Sequence, residues 1–331
     1  MIPPVKSSAI PDASDPLCGV PLVPLRGFWA PRWWPVWIGF GLIRLLAALP
    51  WRVQTAFARG LGTIAWYGAR RDRRTTLINL RLAYPQRTER ERRALARLHF
   101  RSLVYSLFET GLVWFGRPGR LEALTRIEGR EHLQSSIAGG RGVLLLGAHF
   151  TTNEIAAAAL PQTGHFFDIM YKPAGNELVN QLALRGRSGH GGRLIPSDKF
   201  VELLRVLKRG GIALYAPDQR FDGDGRVVVP LFGIPAASNP GTTFIAKATK
   251  CAVLPYFPRR LPDGSGYVMT IGAPLTDFPS NDGAADVARY HALIEAAVAA
   301  APEQYLWSYK RFRPLPGEPD PYRGGAVRGA S

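Results

Sequence analysis

From about residue 140 onward, short apolar runs alternate with stretches of helical periodicity. The runs at 143–146, 166–171, 212–216, 227–231, 252–257 and 267–271 have the length and composition of buried strands. Between and after them, 152–160, 198–208, 241–250 and 284–300 have helical patterning. Such alternation predicts an α/β fold: a mixed central sheet flanked by helices. The earlier part of the chain reads differently. Residues 1–31 are rich in Pro and Ser and lack periodicity, which predicts a disordered leader. Residues 33–49 follow as an apolar run whose only charge is Arg44, with Trp33, Trp34 and Trp37 clustered at one end.

The 33–49 run falls slightly short of the roughly 20 residues that cross a bilayer comfortably, and its tryptophans resemble an interfacial belt. We therefore expect an N-terminal hydrophobic anchor helix in the region 32–65, either short-spanning or lying on one leaflet. A signal peptide fits less well, because the run starts late and follows a Pro-rich leader. Leu103/Leu107 and Val104/Phe108 recur at a spacing of four and continue to Leu112 and Phe115, an amphipathic helix that ends before Pro118. The expected division is a leader (1–31), an anchor region (32–65), one α/β domain (66–315) and a flexible tail (316–331).

Charge narrows the partners. Lys and Arg number 42 against 25 Asp and Glu, a net charge of +17. Between Arg70 and Arg101 eleven arginines face three acids, Asp72, Glu89 and Glu91. Such a surface seeks anions: nucleic acid, an acidic membrane, a phosphorylated substrate or an acidic carrier protein. Nucleic-acid binding would leave the apolar segment without a role, whereas a basic patch beside an anchor suits a membrane. Cys18 and Cys251 are too few for a disulfide scaffold or a zinc site, and the six histidines are scattered without a metal-binding spacing. No metal and no cofactor is expected.

Three constellations can carry chemistry. In Gly147-Ala-His-Phe-Thr-Thr-Asn-Glu154, His149 lies three residues beyond the strand candidate and Glu154 in the first turn of the next helix. The carboxyl ends of strands are where α/β sheets gather ligands. An imidazole can take a proton from a hydroxyl, and a carboxylate can fix its tautomer. The spacing by itself is weak, because a chain of this composition yields such a pair readily. Arg185, Arg187 and Arg193 lie in the glycine-rich stretch 184–194, which reads as a basic loop able to approach phosphate or an oxyanion, or as a plain solvated connection. Asp218 ends a strand in Tyr215-Ala-Pro-Asp218, where it can orient a site, hold Arg220 or simply form a turn. Neither a phosphate-binding loop of the Walker type nor a nucleophile elbow is present.

The ordered set Gly147-Ala-His-Phe-Thr-Thr-Asn-Glu154, Arg185-Gly-Arg187, Tyr215-Ala-Pro-Asp218, Val229-Pro-Leu-Phe232 and Leu254-Pro-Tyr-Phe-Pro-Arg259 resembles the bacterial lipid A biosynthesis acyltransferases, the late Kdo-dependent lauroyl/myristoyl transferases. Arg70–Arg74, Asn79-Leu80, Ala83-Tyr-Pro85, Gln304-Tyr-Leu-Trp307 and Lys310-Arg-Phe312 extend the likeness over roughly residues 30 to 315. The resemblance implies a glycerolipid-acyltransferase-like fold and an O-acyltransferase at the cytoplasmic side of the inner membrane. The donor would be an acyl thioester of acyl carrier protein, and the acceptor a hydroxyl of a phosphorylated glycolipid. His149 would be the general base and Glu154 its orienter. Arg187, then Arg185, would meet the oxyanion or a phosphate, with Asp218 among the substrate-binding residues. Asn153 departs from the apolar residue expected there. Rival readings are an acyltransferase for another glycolipid or aminolipid, using acyl-CoA or acyl carrier protein, and a non-catalytic membrane-associated lipid-binding protein.

Overall fold

A computed structural model of the chain describes residues 17–116, 119–190 and 192–323. Two short 3₁₀ turns, Leu25–Phe28 and Pro31–Trp33, lead into helices α1 (Trp34–Ala47), α2 (Trp51–Gly68), α3 (Arg70–Ala83) and α4 (Glu89–Phe115). After α5 (Arg120–Leu124) come β1 (Thr125–Glu128), α6 (Arg130–Ala138), β2 (Val143–Leu146), α7 (Asn153–Ala159), β3 (Phe167–Tyr171), α8 (Glu177–Ser188) and β4 (Gly192–Pro196). The remainder is α9 (Phe200–Lys208), β5 (Ile212–Tyr215), β6 (Val227–Leu231), β7 (Ile234–Ser238), α10 (Gly241–Thr249), β8 (Ala252–Arg260), β9 (Tyr267–Ile271) and α11 (Gly283–Ala300).

Seven strands form one sheet in the order β1-β9-β8-β2-β5-β3-β4. All neighbours are parallel except β8 and β9. The central strand β2, Val-Leu-Leu-Leu, is wholly buried, as a parallel strand covered on both faces must be. Its side chains divide by alternation. Leu144 and Leu146 join the core with Ala213 and Val253, and Val143 and Leu145 join the opposite core with Ile212 and Leu254. Each such leucine stabilises the fold by roughly 1.5–3 kcal/mol relative to an exposed one.

The mixed α/β expectation holds, with local corrections. The run at 227–231 is not part of the sheet: β6 and β7 form a separate hairpin, closed by Phe232 and Gly233 at φ 53° and 76°, the positive-φ pair that a two-residue hairpin requires. The glycine-rich stretch 184–194 is not a loop. Its first half is the end of α8, capped at its start by the Asn176 side chain, and its second half supplies edge strand β4.

The ends are also more ordered than their composition predicts. Residues 1–16 and 324–331 lie outside the described part of the chain. From Leu17 onward the leader is packed: Leu17 buries against Tyr171, Leu184 and Leu194, and Phe28 against Leu178 and Leu182. At the other end Tyr322 is buried, and its hydroxyl bonds the Asn79 side chain at 2.5 Å. Both segments lack apolar periodicity because they are held by single side chains and backbone groups rather than by a helix or strand face.

The region expected as an anchor is two helices, a largely apolar α1 and an amphipathic α2, both packed on α4. Gly111 of α4 lets α1 come close, since a Cβ there would stand 3.0 Å from Ala47 Cβ and from the Ile43 carbonyl oxygen. Among the described residues no helix is long and apolar enough to cross a membrane, which removes the short-spanning form of the anchor. Trp34, Ile38, Leu42 and Leu45 of α1, at helical spacing, remain exposed, as do Phe57, Leu61 and Ile64 of α2.

Candidate active site

Strands β2 and β5 are neighbours, and Leu146 pairs with Tyr215. His149 and Asp218 each follow three residues later, so equal steps off adjacent strands bring them together. His149 Nδ1 lies 2.5 Å from Asp218 Oδ1, and the His149 backbone N–H donates to Oδ2 at 3.0 Å. The Tyr305 hydroxyl also donates to Oδ2, at 3.3 Å. Asp218 is almost fully buried, whereas the His149 side chain is 34% exposed.

Burial works against charge on both groups, yet the pair prevails: Asp218 raises the His149 pKa above 6.5, and His149 with its hydrogen bonds holds Asp218 below the usual carboxylate range. Burial and Asp218 together keep the Tyr305 hydroxyl protonated, so it stays a donor. An ionised carboxylate only accepts, so in the neutral imidazole Nδ1 carries the proton and Nε2 keeps its lone pair. The loop bearing His149 is braced from the far end of the chain. Leu306 N donates to the His149 carbonyl at 3.0 Å, and Thr151 N donates to the Gln304 carbonyl at 2.8 Å. That gives the segment Gln304-Tyr-Leu-Trp307 its structural meaning.

The Glu154 carboxylate, expected to orient His149, makes its hydrogen bonds elsewhere. It is taken by Arg187, whose Nε lies 3.0 and 3.3 Å from the two oxygens and whose Nη2 completes the fork, and by Trp114 Nε1 at 3.2 Å. Five residues after His149, α7 has turned Glu154 toward α8 rather than back to the imidazole. Gly186 permits the arrangement: a Cβ there would meet the Trp114 indole at 2.3 Å. Asp218, expected among the substrate-binding residues, is buried against the imidazole and does not line the cleft, and Arg220 bonds Asp222. Arg185 points away from the cleft. Its guanidinium binds the Gln181 side chain at 2.8 Å and the Val23 carbonyl at 2.7 Å, tying the leader to α8.

His149, Glu154 and Arg187 line a cleft of about 510 Å³, with apolar walls from Ala156, Ala157, Ile169, Leu214 and Tyr256. This lies within the roughly 300–1,000 Å³ usual for small-molecule sites. Sequence patterning did not reveal Trp114 or Tyr305 as parts of the site. Tyr305 carried a signal in its motif, whereas Trp114 reads as one more apolar residue on α4.

A histidine paired with a buried carboxylate at the strand ends of a mostly parallel sheet, beside an apolar-walled cleft, is an arrangement suited to general acid–base chemistry. The chain matches the model of the family described as bacterial lipid A biosynthesis acyltransferase over residues 25–314 and belongs to that family. It is similar to the lipid A biosynthesis lauroyltransferase of Escherichia coli (strain K12), 33% identical over 294 residues, covering 88% of this chain and 96% of the relative. The palmitoleoyltransferase of the same strain is 30% identical, covering 88% and 95%. The myristoyltransferase is 26% identical, covering 90% and 93%.

Proposed function

We propose that this protein is an O-acyltransferase of lipid A biosynthesis that moves a fatty acyl chain from acyl carrier protein to a hydroxyl of a phosphorylated lipid A precursor. The observation that carries the reading is the Asp218–His149 pair, which leaves Nε2 basic at the wall of an apolar cleft. Nε2 takes the proton of the acceptor hydroxyl as its oxygen attacks the thioester carbonyl. The tetrahedral intermediate collapses, the C–S bond breaks, and the imidazolium returns the proton to the leaving thiolate. Asp218 stabilises the imidazolium in between. One such proton transfer contributes about 10²–10⁴-fold.

Arg187 is a cation that lines the same cleft. Its Nε and Nη2 are held by Glu154, which leaves Nη1 for a phosphate or the oxyanion. The apolar walls suit an acyl chain. The basic surface suits both acidic acyl carrier protein and a phosphorylated acceptor. No nucleic-acid role is needed to account for the charge.

Membrane access fits a monotopic arrangement at the cytoplasmic face of the inner membrane. Ile38 and Ile64 are 69% and 67% exposed within the apolar rows of α1 and α2. Arg70, Arg71, Arg73 and Arg74 follow directly at the start of α3. Apolar rows beside a basic cluster are the pattern of a helix lying in a lipid interface.

The test is product analysis by mass spectrometry after incubating the full chain with acyl carrier protein thioesters and a phosphorylated lipid A precursor. The acceptor gains one acyl chain with the wild type and none with His149→Ala. Near-normal transfer by His149→Ala would falsify the assignment of the base. Transfer from acyl-CoA but not from acyl carrier protein would replace the donor.

A further inference from the structure

A second concavity lies on the other side of β8. Phe257 and Arg259 of β8, the loop 272–276 and the second half of α11 enclose an apolar trough of about 520 Å³, as large as the catalytic cleft. Leu275, Leu293 and Ala297 lie in its walls. Pro258 lines both cavities, and the Phe257 ring packs edge-on against Phe150, the residue after His149, with centroids 6.0 Å apart. The trough is therefore a neighbour of the site, divided from it by one strand.

Its walls are pinned. Gly272 N bonds the Pro255 carbonyl at 2.8 Å and Leu275 N the Val253 carbonyl at 2.9 Å. Arg289 ties the loop to α11 through the carbonyls of Thr276 and Asp277, at 2.7 and 3.1 Å.

The charges at the trough are of one sign. Among the described residues, Arg259 and Arg289 are the ionisable side chains that line it. Arg289 is engaged with backbone carbonyls, whereas the half-buried Arg259 guanidinium has no hydrogen-bond or ion-pair partner among the described residues. Arg259 also closes the motif Leu254-Pro-Tyr-Phe-Pro-Arg259, of which the catalytic cleft uses only Tyr256 and Pro258. An apolar lining and an unpaired guanidinium at its rim together complement an anion carried on a hydrocarbon chain.

The geometry points to a second lipid site in this trough, which takes one alkyl chain of a phosphate-headed amphiphile with the phosphate on Arg259. The assignment stands independently of acyl transfer at His149.

The test uses the full chain and dodecyl phosphate carrying a diazirine at the chain end, below its micelle concentration, with labelled peptides mapped by mass spectrometry after photolysis. Label is expected on residues 293–300 as well as in the His149 cleft. Arg259→Ala weakens the label on 293–300 about tenfold, the scale of one charge-assisted hydrogen bond, and leaves label in the cleft unchanged. Ala297→Trp, which fills the trough, removes it from 293–300. Because an indole can disturb α11, a competition on the wild-type chain asks the same question: unlabelled dodecyl phosphate should displace the label on 293–300 at about tenfold lower concentration than dodecanol. Absence of label on 293–300, an undiminished label in Arg259→Ala, or equal displacement by phosphate and alcohol overturns the proposal.

Discussion

His149 and Asp218 are each three residues beyond a paired position on adjacent parallel strands, and their side chains meet at 2.5 Å. The imidazole is thus placed beside its carboxylate by sheet register and not by the helix that follows it. Glu154, the acid nearer in sequence, serves Arg187 and Trp114 instead. The two carboxylates of the site therefore have separable effects.

Asp218→Asn tests the first. His149 works as a base only when neutral, and Asp218 raises its pKa above 6.5. The wild-type rate therefore falls as pH drops through a value above 6.5. Without the carboxylate, burial prevails and disfavours the imidazolium, so the acidic limb of the variant moves to lower pH while its maximum falls about 10²–10⁴-fold. Initial rates between pH 5 and 9 would show both changes; an unmoved limb would contradict the pairing.

Glu154→Gln should leave that limb in place. It weakens the grip on Arg187, so kcat/KM falls by about tenfold or more, through loss of a charge-assisted fork of roughly 1.5–3 kcal/mol. A shift of the acidic limb like that of Asp218→Asn would return Glu154 to the role of orienter.

Gly186→Ala probes the same pair from behind. The new Cβ would overlap the Trp114 indole, a rigid ring packed between helices, and would force it off Glu154. We expect a loss of about 1–3 kcal/mol from overpacking, read by urea unfolding, together with reduced turnover. A variant as stable and active as wild type would mean that α8 shifts freely.

For the outer rows of α1 and α2, Ile38→Glu combined with Leu45→Glu should release the protein from anionic vesicles in a flotation assay. Neither side chain is buried, so the fold should melt as before. Unchanged flotation would place the membrane contact elsewhere.

The buried Arg260–Glu109 pair makes a stability prediction. Arg260 Nε lies 2.6 Å from Glu109 and Nη1 2.8 Å from Ser102, which bonds Thr151 of the His149 loop at 2.7 Å. Glu109→Ala leaves a buried guanidinium unpaired and should destabilise by about 3–5 kcal/mol. Equilibrium urea unfolding measures it, and a change below about 1 kcal/mol would show the pair to be solvated.

Much of the α/β core was legible because buried parallel strands are continuous apolar runs: 143–146 and 267–271 were read at their observed bounds. Edge strand β4 was not, since only Leu194 and Ile195 stand out in Gly-Arg-Leu-Ile-Pro. α8 was hidden by the glycine and arginines of its last turn, although Gly186 is there for Trp114. The sequence singled out His149 and Arg187, and both line the cleft. The exchange of roles between Glu154 and Asp218 was not legible, because strand order decides it and β2 and β5 are 69 residues apart across the His149–Asp218 bond.

The brace from residues 304–306 has a consequence for synthesis. Tyr305 and Leu306, which hold Asp218 and the His149 backbone, leave the ribosome after every other part of the site, and Tyr322 must still travel back to Asn79 across 243 residues. The helices with exposed apolar rows emerge first. If those rows bind lipid as proposed, a nascent chain reaches the lipid surface long before its imidazole is aligned, and arrival precedes competence.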